Sequence, residues 1–288
     1  MTAPAGDLRA APGVSFTVTQ LQRLRELGMA AAAERRYPSA AERDAGFKQL
    51  EHELTGAGRR RLEEVRRGRR RPVLAELESA LATALANAGF VQVLTPHIIA
   101  GEALEKMGIP RSGQLAEHVY WIDGGRCLRP MLAPNLYTLL RRFGRIWSRP
   151  FGIFEIGACF RRDSQGGRHL DEFTMLNLVE LGTPLDERRA RLEALAALVL
   201  SAAGLRSYEF ATVESSVYGD TLDIMASGIE VCSAAMGPHA LDDAWGITEP
   251  WVGLGFGLER LLMARDGHAN IERVGRSLSY FDGVRLNL

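Results

Sequence analysis

Six apolar runs fall between residues 151 and 257: FGIFEIGACF, EFTMLNLVELG, YEFATV, TLDIMA, GIEVCSAAM and WVGLGFG. One stretch of helical composition, the alanine- and leucine-rich residues 186–203, interrupts the series. Parallel neighbours need a long crossover, usually a helix, whereas antiparallel neighbours need only a turn. The spacing therefore predicts a mainly antiparallel sheet with helices packed against it, an α+β architecture. WVGLGFG leads straight into the helix LERLLMAR.

The region before these runs supplies further helices. VLAELESALATALANAG carries apolar residues at helical spacing and ends at Gly89. APNLYTLLRRFGRIW reads as a helix with Pro134 in its first turn. FVQVLTPHII reads as a strand, and Pro96 places it at a sheet edge or ends it there. VYWIDGGRCL is a hairpin signal, with Asp-Gly-Gly between two apolar runs.

Residues 15–71 have a different character. SFTVTQLQRLRELG predicts a helix capped by Thr17 or Thr19 and stopped at Gly28; a second runs from Ser39 to Gly56. GRRRLEEVRRGRRRP follows, with eight arginines against two glutamates. Such a run is either a solvated face or a contact to a phosphate backbone, and its density favours the second. Arg66, Arg67, Arg69 and Arg70 are the candidate contacts to such a backbone. The division expected is a disordered lead over 1–14, a basic helical region over 15–71 and a main domain over 72–288.

Composition excludes several classes. No run of about 18 uncharged apolar residues exists to span a membrane, and MTAPAGDLRAAPG lacks the order of a signal peptide. Cys127, Cys159 and Cys232 show no CxxC spacing, which argues against a zinc site or a disulfide framework and fits a reducing cytoplasm. Formal net charge is zero, so affinity for nucleic acid must be local. Only Lys48 and Lys106 are lysines among 35 basic residues, so arginine enrichment alone says little about function.

Particular residues point to an anionic ligand. Arg161 and Arg162 close one apolar run before a polar loop, and arginine offers a planar fork that matches a phosphate. GLGFGLERLL lacks the spacing of a dinucleotide fold, but closely spaced glycines admit a ligand to the backbone, and Arg260 lies in the first turn beyond them. Glu230 reads as an isolated carboxylate among apolar residues, and Ser233 follows on the same run; Mg²⁺ is a natural partner for such oxygens, and a surface-facing strand position is the plain alternative. Asn177 is a lone amide in an apolar strand, placed either to bond backbone or to read a substrate carbonyl. Together these describe an ATP site without a P-loop.

FEIGACFRRD, HLDEFTMLN and GLGFGLERLL resemble the second and third signature motifs of the class II aminoacyl-tRNA synthetases, and the helix before FVQVLTP resembles the first. LRPMLAPNLY, VYGDTLD and EPWVGLGFGLERLL are closer still to the pyrrolysine-specific family within that class. The resemblance runs from about residue 16 to the C-terminus, in the compact form without a separate N-terminal tRNA-binding domain.

The resemblance implies the class II catalytic fold, a pyrrolysine–tRNA ligase activity, and a homodimer formed through residues 74–96. It implies ATP as substrate, Mg²⁺ as cofactor, and pyrrolysine and its tRNA as partners. Arg161 and Arg260 would be catalytic: Arg161 grips the α-phosphate and the amino-acid carboxylate, and Arg260 lies across adenine from Phe173. Asp163, His169, Leu170 and Gly257 would complete the nucleotide site under the loop Ser164–Arg168, with Glu230 and Ser233 on the metal. Asp163 departs from the family pattern, which has glutamate there. Asn177 would read the side-chain carbonyl, Tyr218 would cover the ring, and Ala133, Leu136, Tyr137, Leu140, Val179, Ala235, Trp251 and Gly253 would line the tunnel. A class II paralogue for another amino acid, or a non-catalytic regulatory relative, are the alternatives at this point.

Overall fold

The computed structural model describes residues 13–29, 35–162, 167, 169–215 and 219–288. The lead over 1–12, Asp163, Tyr218 and all of the loop Ser164–Arg168 except Gly167 lie outside the described residues. Two compact units form: the described residues up to Arg70 together with Leu278–Leu288, and Arg71–Ser277. The sequence boundaries ran the main domain to 288, whereas the last eleven residues pack with the N-terminal helices.

In the smaller unit, α1 (Val18–Glu26) starts at a capping box in which Thr17 accepts from the Gln20 N–H and Gln20 answers to the Thr17 N–H. α2 (Ala40–Arg67) is capped by Ser39. Phe16 and Leu24 are buried against Tyr37, Phe47, Leu50 and Leu54 between them. The helix does not stop at Gly56 but continues into the arginine run as far as Arg67. Gly58, within it, has a packing role: a Cβ there would come within 3.1 Å of Val284 and 3.2 Å of Leu288. The glycine lets the C-terminal hairpin, Tyr280–Phe281 with Val284–Arg285, approach the helix closely.

The larger unit contains α3 (Val73–Asn87), β1 (Val91–Gln92), β2 (Ile98–Ala100), α4 (Gly101–Glu105), β3 (Arg126–Leu128), α5 (Ala133–Phe143), β4 (Phe151–Phe160), β5 (Glu172–Leu181), α6 (Arg188–Ala202), β6 (Glu209–Ser215), β7 (Gly219–Ala226), β8 (Ile229–Gly237), α7 (Asp242–Trp245), β9 (Trp251–Gly257) and α8 (Leu258–Asp266). Seven strands form one sheet in the order β1-β4-β5-β9-β8-β7-β6. Every pairing is antiparallel except that of β1 with β4. The strand expected over FVQVLTPHII divides at Pro96 into edge strand β1 and a separate β2, which pairs with β3. No helix among the described residues is long and apolar enough to cross a membrane.

Strand alternation decides what each face carries. On β5, Leu176 and Leu178 join the core built by α3, α6 and α8, while Asn177 and Val179 face the other way. On β9, Val252, Leu254 and Phe256 enter that core, and Trp251, Gly253, Gly255 and Gly257 take the opposite face. The glycine spacing of WVGLGFG is thus a strand-face pattern. Removing side chains from one face of a central strand opens the floor of a cavity.

Candidate active site

Between this open face and α5 lies a cavity of about 450 Å³. It is lined by every sequence-predicted amino-acid contact that the structure describes: Ala133, Leu136, Tyr137, Leu140, Asn177, Val179, Ala235, Trp251 and Gly253. A second cavity of about 170 Å³ is lined by His169, Leu170, Phe173, Glu230, Gly257 and Arg260. Arg161, Met175, Ser233 and Gly255 line both, so the two spaces join along the sheet.

Arg161 stands at that junction. Its backbone N–H donates to Asp171 O at 2.9 Å, which closes the β4–β5 hairpin. Its Nε donates to Pro130 O at 2.7 Å, and its guanidinium lies 5.2 Å from the Phe173 ring centroid. One side chain therefore presents a fixed positive fork where the two cavities meet.

Asn177 projects into the first cavity over Gly255; a Cβ on Gly255 would come within 3.2 Å of its amide nitrogen. Its Oδ1 is buried and has no hydrogen-bond partner. A buried acceptor without a partner costs free energy, so this atom marks a place for a ligand donor.

Glu230 departs from the sequence reading. It is not isolated among apolar groups: its side chain is 45% exposed and pairs with the Arg260 guanidinium at 3.3 Å. A one-residue register shift between β7 and β8 passes over Val231, so that Glu230 and Ser233 both reach the second cavity.

Two buried carboxylates support the site, one lining the second cavity and one behind it, and neither was among the residues expected from the sequence. Glu259 is 1% exposed and accepts the Thr174 N–H at 2.9 and 3.0 Å. Burial pushes its carboxyl up to about 7, against the Thr174 bond, which pulls it down. It holds the backbone next to Phe173. Glu155 pairs with the fully buried Arg129 at 2.7 Å and also accepts from Thr95 N–H and Oγ1–H. Arg129 Nε donates to Ala158 O. The residue after it, Pro130, supplies the carbonyl that orients Arg161. A lone glutamate inside FGIFEIGACF was a visible signal of such a pair; its partner was not separable from the other arginines.

The joined cavities on the bare face of an antiparallel sheet, with a hairpin arginine at their junction and a glycine strand running into a helix, define a class II aminoacyl-tRNA synthetase core. The family model for the tRNA synthetases class II core domain (F) matches residues 138–281. Two solved structures of pyrrolysyl-tRNA synthetase from Desulfitobacterium hafniense are 55% and 54% identical, each with a TM-score of 0.90. They cover 95% and 96% of this chain, and 99% of their own length is matched in both cases. The chain belongs to the pyrrolysyl-tRNA synthetase family, and is an ATP-dependent aminoacyl-tRNA ligase.

Proposed function

We propose that this chain activates pyrrolysine with ATP across the two joined cavities and transfers it to the tRNA specific for pyrrolysine. The observation that carries the reading is the first cavity: mostly apolar, and holding among the described residues one buried side-chain polar atom without a partner, Asn177 Oδ1. A long aliphatic side chain ending in an amide suits such a space, because the amide can satisfy the asparagine. The amino-acid carboxylate then lies toward Arg161 and the α-phosphate of ATP. In-line attack gives the adenylate and pyrophosphate, and the terminal ribose of the tRNA next displaces AMP. Neither step demands a protein acid or base; position and charge neutralisation supply the rate. Phe173 offers a face for adenine, with Arg260 opposite.

The Glu230 carboxylate and Ser233 hydroxyl are hard oxygen donors on the second cavity. Mg²⁺ commonly keeps waters and phosphate oxygens beside one or two protein oxygens, and this pair fits it. When bound, the ion neutralises phosphate charge; Glu230 and Ser233 would hold it. The unbridged Cys127, Cys159 and Cys232, all buried, suit a reducing cytoplasm. Val91, Leu94 and Ile98 are exposed at 46%, 84% and 48%, an apolar edge that a second copy would cover to form the homodimer.

Asn177→Ala should weaken activation of pyrrolysine by roughly 1–3 kcal/mol, the cost of a lost buried hydrogen bond, while admitting bulky aromatic amino acids. Amino-acid-dependent exchange of pyrophosphate into ATP measures both. Equal activity of variant and parent on an amide substrate would count against the role.

The arginine run requires a sharper test than the sequence suggested. Arg66 and Arg67 are exposed and share Glu63 on their own helix. Arg69 pairs with the buried Asp282, which gives it a structural task inside the smaller unit. Replacing Arg66, Arg67 and Arg70 with glutamine, and leaving Arg69, should preserve pyrophosphate exchange and lower aminoacylation. The logarithmic salt slope of tRNA binding should flatten by about one for each lost phosphate contact. Parental tRNA affinity with an unchanged slope would return the run to a solvated face.

A further inference from the structure

One wall of the first cavity is held from behind. Asp242 does not line the cavity and is 3% exposed. Three donors converge on its carboxylate: the Tyr137 hydroxyl reaches Oδ1 at 3.2 Å, and the Trp251 indole N–H and the His239 backbone N–H reach Oδ2 at 2.9 and 2.7 Å. Tyr137 and Trp251 both line the cavity. They meet edge to face, with ring centroids 5.8 Å apart. Tyr137 is also stacked on Trp245, three residues beyond Asp242, with centroids 5.3 Å apart and planes 13° apart.

The opposite side of Trp251 is equally constrained. It pairs with Gly237 across the β8–β9 ladder, and a Cβ at Gly237 would run into the indole. The indole therefore lies flat over a glycine while Asp242 fixes its nitrogen. Tyr137 comes from α5 and Trp251 from β9, so the carboxylate ties a helix to a strand across the cavity. Two rings that could rotate into the tunnel are each pinned at their polar end, and a polar tip that finds a buried partner fixes an aromatic in one orientation.

We infer that Asp242 is a specificity-determining positioning residue: by holding Tyr137 and Trp251 together it sets the width and depth of the amino-acid tunnel. This rests on the first cavity being the amino-acid site.

Asp242→Ala removes the acceptor and leaves two N–H groups and a hydroxyl without it. The KM for pyrrolysine, or for an Nε-acyl-lysine used as its probe, should rise about tenfold, the scale of one buried hydrogen bond to a carboxylate. The KM for ATP and the kcat of pyrophosphate exchange should stay within about twofold, because the second cavity is untouched. The preference for the amide substrate over phenylalanine should fall by about the same tenfold factor. Asp242→Asn keeps an acceptor for the two N–H groups and should restore most of both quantities. General damage to the fold would instead lower kcat for all substrates and leave the preference alone. Should Asp242→Ala fail to fold, Tyr137→Phe deletes one donor and leaves the carboxylate its other two; it should raise the amino-acid KM severalfold at constant KM for ATP. A folded Asp242→Ala, or in its place Tyr137→Phe, with parental amino-acid KM and parental preference overturns the inference. A parent without pyrrolysine-dependent exchange overturns the proposed function instead.

Discussion

Arg161→Ala is expected to give a folded protein whose amino-acid activation is slower by at least ~10³-fold, about 4 kcal/mol of transition-state stabilisation. Charge builds on the α-phosphate as the carboxylate attacks. Arg161 is the side chain that lines both cavities with a fixed guanidinium, held by Pro130 O and lying against Phe173. Preorganised charge of this kind acts without reorganising during the reaction, which is why its loss falls on the rate. The fold should tolerate the change, since the hairpin bond at this residue is made by its backbone. Pyrophosphate exchange measures the first effect and a thermal melt the second. Near-parental exchange in a folded variant would remove Arg161 from the phosphate site.

Glu155→Ala is expected to cost roughly 3–5 kcal/mol of stability, because it strands a buried guanidinium. Arg129 and Glu155 are 0% and 1% exposed. Arg129 Nη2 already lacks a partner, and a Cβ at Gly157 would collide with it. The native site thus tolerates one unmet donor and has no room to rearrange around a second loss. The double variant Arg129→Met, Glu155→Leu should recover much of the deficit, since an apolar pair of similar volume escapes the desolvation penalty. Denaturant unfolding of the two single variants and the double closes the cycle. Additive losses would show that the two groups do not depend on each other. Because Arg129 precedes the carbonyl that orients Arg161, the same single variants should also slow activation in the fraction that remains folded.

Much of the site was legible because strand alternation is a local rule. Asn177 and Val179 share a face of one strand, and Gly253, Gly255 and Gly257 a face of another, by parity alone; the pairing of those two strands came only with the structure. The misreadings came from forces that act between distant segments. Gly56 reads as a helix stop, but α2 runs on past it to Arg67, and the C-terminal hairpin packs against Gly58, where a side chain would crowd Val284 and Leu288. The same packing moved residues 278–288 out of the main domain. Glu230 looked stranded because its partner, Arg260, lies thirty residues on and is brought near only by the pairing of β8 with β9. Arg129 was hidden by the arginine bias: nothing local separates a buried arginine from the many exposed ones. Asp242 was equally silent, since its three donors come from α5, β9 and the turn before α7.

The central claim, that the two joined cavities activate pyrrolysine with ATP, is tested most directly by exchange of labelled pyrophosphate into ATP with the purified protein, with and without pyrrolysine. Exchange should depend on pyrrolysine or an Nε-acyl-lysine, and the twenty common amino acids should support little of it. Exchange driven equally well by one of those twenty, or absent with pyrrolysine in a folded protein, would contradict the account.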